Sequence, residues 1–276
     1  MSKEKYFELV KSLAEDLNHH EIKLASFPDI VLRVRIALDN PDTTSENLAT
    51  ILSVDPVLAS RILVLANSAF YNAGGIKIEG LSAAVGRIGF STVRTTAISY
   101  AIELLHASEG LGALKSELRK AWSAAMRRAA MCEVMARYCS KLNGDTAFIV
   151  GLLNQIGVLY IFTKYEEYPD LLKDPDARNE LIDEWAAPIG ENIVAEWDFS
   201  EEVQATLNPD EDEAARPDSQ PTLVDVIVAA NALLDAGSPE LSDTPATNRL
   251  KLSDAMIPEI MELFQIRLDS LASAVR

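Results

Sequence analysis

Histidine is nearly missing from this 276-residue chain, which has only His19, His20 and His106. It also has just two cysteines, and 25 basic residues stand against 42 acidic ones. So few imidazoles and thiols leave little from which to build a transition-metal site. His19 and His20, as neighbours on a helix, point about 100° apart and lack a second pair of ligands nearby, so a solvated helix end is their expected setting. Cys132 and Cys139 fall on one expected helix, separated by about 10 Å along its axis, and cannot bridge each other there. The polar start Met1-Ser2-Lys3-Glu4 carries no secretory signal. The expectation is a reducing cytoplasm with both thiols packed and inert. The formal charge of -17 opposes phosphate backbones and anionic lipid, so neither nucleic acid nor a membrane is an expected partner.

Alternating strand patterns and internal repeats are also absent. What remains is helical periodicity, and the fold class it implies is all-α. Thr43 and Glu46 have capping-box spacing ahead of Leu48, Ile51 and Leu52. Asp55-Pro56 restarts a helix, with Asp as N-cap and Pro in its first turn, and Val57, Leu58, Ile62 and Leu65 form its stripe. A short helix from about Leu81 ends near Gly89, and Ser91 can cap the next. A long helix covers about Leu114 to Lys141. Thr146 to Thr163 then carries no charge over 18 residues, near the lower limit for a membrane span. Asn154 and Gln155 at its centre favour a helix buried inside a helical domain instead. The last helix sets Ile260, Phe264, Leu268, Leu271 and Val275 on one face. Turn formers at Ser108 to Gly112 divide the chain into two expected lobes, 1–113 and 114–276.

Nucleophilic catalysis finds no support, since the serines and threonines have no histidine or lysine base at a recognisable spacing. Gly74-Gly75 lacks the strand-to-helix context of a phosphate loop and reads as a turn. The carboxylate pairs Glu166-Glu167, Asp183-Glu184 and Glu201-Glu202, with the run Asp210 to Glu213, cluster in polar stretches that suit a solvated face. Trp122, Trp185 and Trp197 are expected in the core with their indole N–H groups satisfied.

Several motifs together resemble the HD-related output domain (HDOD) family of bacterial signalling proteins, whose fold is related to HD phosphohydrolases. The first is Phe27-Pro28-Asp29-Ile30-Val31-Leu32-Arg33, followed by Asp55-Pro56-Val57-Leu58 and Ala84-Val85-Gly86-Arg87-Ile88-Gly89. The most specific is the run from Arg61 through Leu65-Ala66-Asn67-Ser68-Ala69-Phe70-Tyr71. In the second half the resemblance passes through Trp122, Gly190, Trp197 and Ala229-Ala230-Asn231. It also includes Gly151-Leu152-Leu153-Asn154-Gln155-Ile156-Gly157, similar to a Leu-Leu-His-Asp-Ile-Gly metal signature with both ligands replaced.

The resemblance implies a C-terminal lobe like an HD domain without its metal ligands. The ligand positions carry over to Ala124, to Asn154 and Gln155, to a place near Ala186, and to Asn231. Neutral amides and a methyl group are poor substitutes for imidazole and carboxylate. The amides of Asn154, Gln155 and Asn231 can either form an uncharged ligand pocket or satisfy one another in the core, and the second is the expectation. No catalytic residue, metal or cofactor is therefore expected. The resemblance implies a non-catalytic signalling output module that works through a protein partner. Two rivals are a metal-dependent phosphohydrolase with displaced ligands and a nucleotide sensor using the remnant cleft.

Charge is distributed unevenly along the second half. Residues 115–141 carry seven basic and two acidic residues, whereas residues 164–213 carry 17 acidic and three basic ones. The two segments can neutralise each other inside the fold. The acidic excess nevertheless nominates Glu201, Glu202, Asp210, Glu211, Asp212 and Glu213 as the face for a basic partner.

Overall fold

The computed structural model describes residues 3–18, 29–106, 114–164, 167–197, 199–208, 220–235 and 244–275, and no strand occurs among them. The protein is all-α. Short polar side chains start its helices by satisfying backbone N–H groups that have no intrahelical acceptor. Asp55 accepts from the amides of Val57 and Leu58 and opens α4 (Pro56–Asn67), with Pro56 in the first turn as the sequence predicts. Thr44, one residue later than the spacing suggests, caps α3 (Ser45–Leu52), and its capping-box partner is Asn47 in place of Glu46. α2 (Asp29–Asp39) precedes this pair. The two helices expected around Gly89 meet in α5 (Leu81–His106), which kinks where Gly89 takes φ 81°. That left-handed value favours glycine because it has no Cβ.

The first hydrophobic core is built from these helices and includes Val34, Leu48, Leu52, Leu58, Ile62, Val85 and Val93. A second core surrounds α6 (Lys115–Cys139), α7 (Gly144–Leu153) and α8 (Ile156–Thr163). α10 (Pro175–Glu196), which follows the short α9 (Pro169–Lys173), also joins it, as do α12 (Leu223–Asp235) and α14 (Ile257–Val275). Between α12 and α14 the chain forms the five-residue α13 (Pro245–Arg249).

Two expectations are corrected here. The uncharged run is not one helix, because Asn154 and Gln155 form a turn between α7 and α8. Its apolar side chains lie in the protein's own core, as expected. The second correction concerns α1 (Lys3–Asn18), which the sequence groups with the first lobe. Its Leu9 and Leu13 are fully buried in the second core. Asp16 completes the attachment by accepting from the Tyr160 hydroxyl at 2.8 Å and pairing with Lys164 at 2.7 Å. The expected divide at Ser108 to Gly112 lies outside the described residues, as do His19 and His20.

Glycines set the spacing of the second core. A Cβ on Gly151 would lie 2.6 Å from the Cα and N of Ala129 on α6, and one on Gly157 would lie 1.9 Å from the carbonyl oxygen of Ala186 on α10. Thus the two glycines that bracket Asn154-Gln155 let α7 and α8 approach two other backbones. Overpacking of this kind costs about 1–3 kcal/mol or more. Gly157→Ala is therefore expected to lower the urea midpoint severely and Gly151→Ala clearly. Gly86→Ala, where the nearest atom to a new Cβ is Ser45 Oγ at 3.9 Å, should leave the midpoint unchanged or raise it, because alanine is the better helix former.

Candidate functional site

α6 presents the first of the remnant positions, Ala124, at the surface. One turn further on, the partly buried Arg128 donates from Nε to Oδ1 of Asn231 on α12. A guanidinium therefore reaches the residue that stands at the closing ligand position. Asn154 and Gln155 are half-buried in the α7–α8 turn, where their side-chain amides form no hydrogen bond with one another or with Asn231 among the described residues. The expected network among the three amides is thus not formed, since Asn231 is engaged by Arg128 instead. Ala186 is half-buried on α10, where its backbone meets Gly157.

These residues do not fit a divalent ion. A methyl group, two neutral amides and a third amide bonded to a fixed cation supply no anionic donor. Among the described residues, no group of three or more His, Cys, Asp or Glu side chains could hold a metal. Burial raises the Cys132 thiol to about 12 and the Cys139 thiol to about 11, leaving both protonated and poorly nucleophilic at neutral pH.

A more elaborate polar site lies where the two cores meet. Arg267 of α14 is 2% exposed, and its Nε donates at 2.7 Å to Glu133 of α6, which is 0% exposed. Arg137 shares the same carboxylate at 3.2 Å and also donates to Asp145 at 3.1 Å. Asp145 in turn accepts from Thr92 of α5 at 3.1 Å. Burial pushes the Glu133 carboxyl up from its ordinary value, and Arg267 and Arg137 pull it back. The Arg267 guanidinium lies 4.8 Å from the Phe70 ring centroid, 5.5 Å from that of Tyr71 and 5.4 Å from that of Phe148, an arrangement that combines cation–π attraction with desolvation.

The conspicuous run ending in Phe70-Tyr71 gains a structural meaning from this site. Asn67 binds both backbone groups of Ile78, donating to its carbonyl at 2.7 Å and accepting from its amide at 2.8 Å. Arg87 donates to the Ala66 carbonyl at 3.1 Å. Arg61 grips Glu103 of α5 through two nitrogens. Together these bonds secure α4 and the loop after it, which carries both aromatic rings to Arg267.

Sequence reasoning misses Arg128, Glu133 and Arg267. A signal for Arg267 exists, because it falls on the buried stripe of Ile260, Phe264 and Leu271 at helical spacing. Glu133 is likewise the one charge in the apolar stretch Ala129 to Ala136. The tryptophans depart in part from expectation. All three are only partly buried against the core, and the Trp185 Nε1 is enclosed without a hydrogen-bond partner. Of the nominated acidic face, Glu201 and Glu202 are exposed on the four-residue α11 (Glu201–Gln204). Asp210, Glu211, Asp212 and Glu213 lie outside the described residues.

Comparison with known proteins agrees with this architecture. The family model of the HDOD domain matches residues 24–212, and the chain belongs to that family. An uncharacterized protein of Treponema pallidum is 23% identical over 222 residues, which is 75% of this chain and 41% of that protein. The chain thus spans less than half the length of this relative. A crystal structure from Shewanella amazonensis, provisionally named a metal-dependent phosphohydrolase, superposes with a TM-score of 0.78 at 23% identity, covering 98% of this chain and 99% of the other. An HDOD protein of unknown function from Geobacter sulfurreducens gives 0.65 at 21% identity, with 95% and 98% covered. A protein from Marinobacter aquaeolei, provisionally named for signal transduction, gives 0.64 at 16% identity, with 98% and 66% covered. At these identities the likeness establishes the fold.

Removing one member of a buried ion pair leaves the other charge uncompensated, at about 3–5 kcal/mol. Arg267→Met and Glu133→Gln are each expected to destabilise the protein on that scale in urea titrations. The double variant Glu133→Met/Arg267→Met should lose clearly less than the sum of the single losses. Additive losses would show that the pair is not coupled.

Proposed function

We propose that the protein is a non-catalytic signal-transduction module that acts through a protein partner. The observation that carries this reading is the contact of Arg128 with Asn231, which puts a fixed cation at a ligand position where a hydrolytic metal would need an anion. Hydrolysis at neutral pH needs an activated water, and the side chains at the ligand positions, Ala124, Asn154, Gln155 and Asn231, supply no anionic donor for a metal and no carboxylate base to generate one. A basic partner surface is the natural complement to the exposed Glu201 and Glu202 in a chain of charge -17. The rival reading is a phosphohydrolase, which the name of the Shewanella amazonensis structure brings forward and the ligand positions oppose.

Elemental analysis after purification, with phosphatase assays in manganese, iron and magnesium, separates the two. The expected outcome is substoichiometric metal and no turnover above buffer. Stoichiometric metal with turnover abolished by Asn154→Ala would overturn the proposal. For the partner captured from the native cell, Glu201→Lys/Glu202→Lys should slow association while leaving the melting temperature unchanged, and the wild-type rate should fall as salt rises.

A further inference from the structure

An open cavity of about 780 Å³ lies between α4, the loop that follows it and the second half of α14. None of the remnant ligand positions lines it. Its walls are mainly apolar, with Leu63 and Val64 of α4, Ala69 and Ile78 of the loop, and Ile266 of α14. The volume falls within the range of small-molecule sites, roughly 300–1,000 Å³, which favour apolar clefts between separately packed parts of a fold. Here Leu63 and Ile78 pack on the first core, whereas α14 belongs to the second.

Helical spacing dictates what α14 presents to this cavity. Ile266, Asp269 and Ser270 stand three and four positions apart and so share one face. Ile266 is left 38% exposed, an isoleucine that neither core covers. Ser270 is only 5% exposed, and its Oγ is enclosed without a hydrogen-bond partner. A hydroxyl enclosed in that way costs free energy until a partner reaches it. The other uncharged polar side chains of the lining are already engaged, Asn67 with the backbone of Leu63 and Ile78, and Ser68 with the Leu65 carbonyl. Ser270 is thus the uncharged polar group that an incoming molecule can satisfy.

Charge at the lining selects the head group. Glu79 and Asp269 supply two carboxylates against the single ammonium of Lys77, which is itself paired with Glu79 at 3.2 Å. A phosphate, sulfate or carboxylate would meet repulsion there and no unpaired cation. We infer that this cavity binds a small aliphatic amphiphile with an uncharged head. Its chain lies against Leu63, Val64, Ile78 and Ile266, where attraction is non-directional and follows the apolar area covered. Its hydroxyl or carbonyl meets Ser270. The inference does not rest on the non-catalytic reading, since the cavity and the remnant ligand positions share no residue.

The test is isothermal titration of the full chain with 1-octanol and with octanoate, which share an aliphatic body and differ in the charge of the head. 1-Octanol is expected to bind saturably at one site, and octanoate about tenfold more weakly or worse. Ala69→Trp, a bulky substitution at an exposed lining position, should abolish that binding, whereas Ala73→Trp, exposed on the same loop outside the lining, should not. Ser270→Ala should weaken 1-octanol by about threefold to tenfold, the scale of one neutral hydrogen bond. It should not lower the melting temperature of the free protein, because no hydrogen bond within the fold is lost. An unchanged melting temperature of both tryptophan variants verifies their folding; were Ala69→Trp to melt lower, the loss in Ser270→Ala decides alone. No saturable binding up to the solubility limit of 1-octanol would overturn the inference. So would affinity indifferent to a folded Ala69→Trp and to Ser270→Ala, or octanoate binding as tightly as the alcohol. A dimer in sedimentation that Ala69→Trp dissociates would assign the cavity to a second copy of the chain and overturn it as well.

Discussion

The ion pair between Glu133 and Arg267 is the constraint to which the rest of the molecule conforms. Taking each charge out of water costs several kcal/mol, offset here by close geometry, by Arg137 on the same carboxylate and by the aromatic rings around the guanidinium, whose Nη1 is buried without a hydrogen-bond partner. That geometry fixes α14 against α6, with Nε 2.7 Å from the carboxylate. It also fixes the loop after α4, because Phe70 and Tyr71 cover the guanidinium. Arg137, Asp145 and Thr92 extend the same chain of contacts into α7 and α5. The ion pair itself joins two helices of the second core, and a shift of one core against the other would strip Phe70 and Tyr71 from the guanidinium and break the Thr92–Asp145 bond.

The glycine-bracketed turn separates the demands of packing from the identity of the residues that it presents. Gly151 and Gly157 are required by close backbone approach to Ala129 and Ala186, whatever residues occupy the two positions between them. Asn154 and Gln155, which the resemblance aligns with metal ligands, therefore sit in the turn without disturbing the packing. Arg128 meets Asn231, the residue aligned with the closing ligand, with a positive charge of the protein's own.

Local chemistry was legible from the chain, and long-range pairing was not. Asp55-Pro56 was readable because capping is decided within three residues. Thr43 and Thr44 are chemically alike, so only the actual backbone conformation selects Thr44 as the cap. The break after Leu153 was hidden because both flanking segments are apolar on every side and offer no change of period. The periodicity of α14 showed which residues face inward but not that Arg267 among them meets a carboxylate 134 positions away.

The placement of α1 has a mechanical consequence. Leu9 and Leu13 sit in the second core, and Asp16 is tied to Tyr160 and Lys164. Force or torque applied at the amino end is therefore delivered to α8 and α10 in the second core. A sensor domain grafted ahead of Lys3 would have its shortest line of mechanical communication with the half of the molecule containing the ligand-position residues. One grafted at the opposite terminus would instead pull on α14 and so on the buried guanidinium of Arg267.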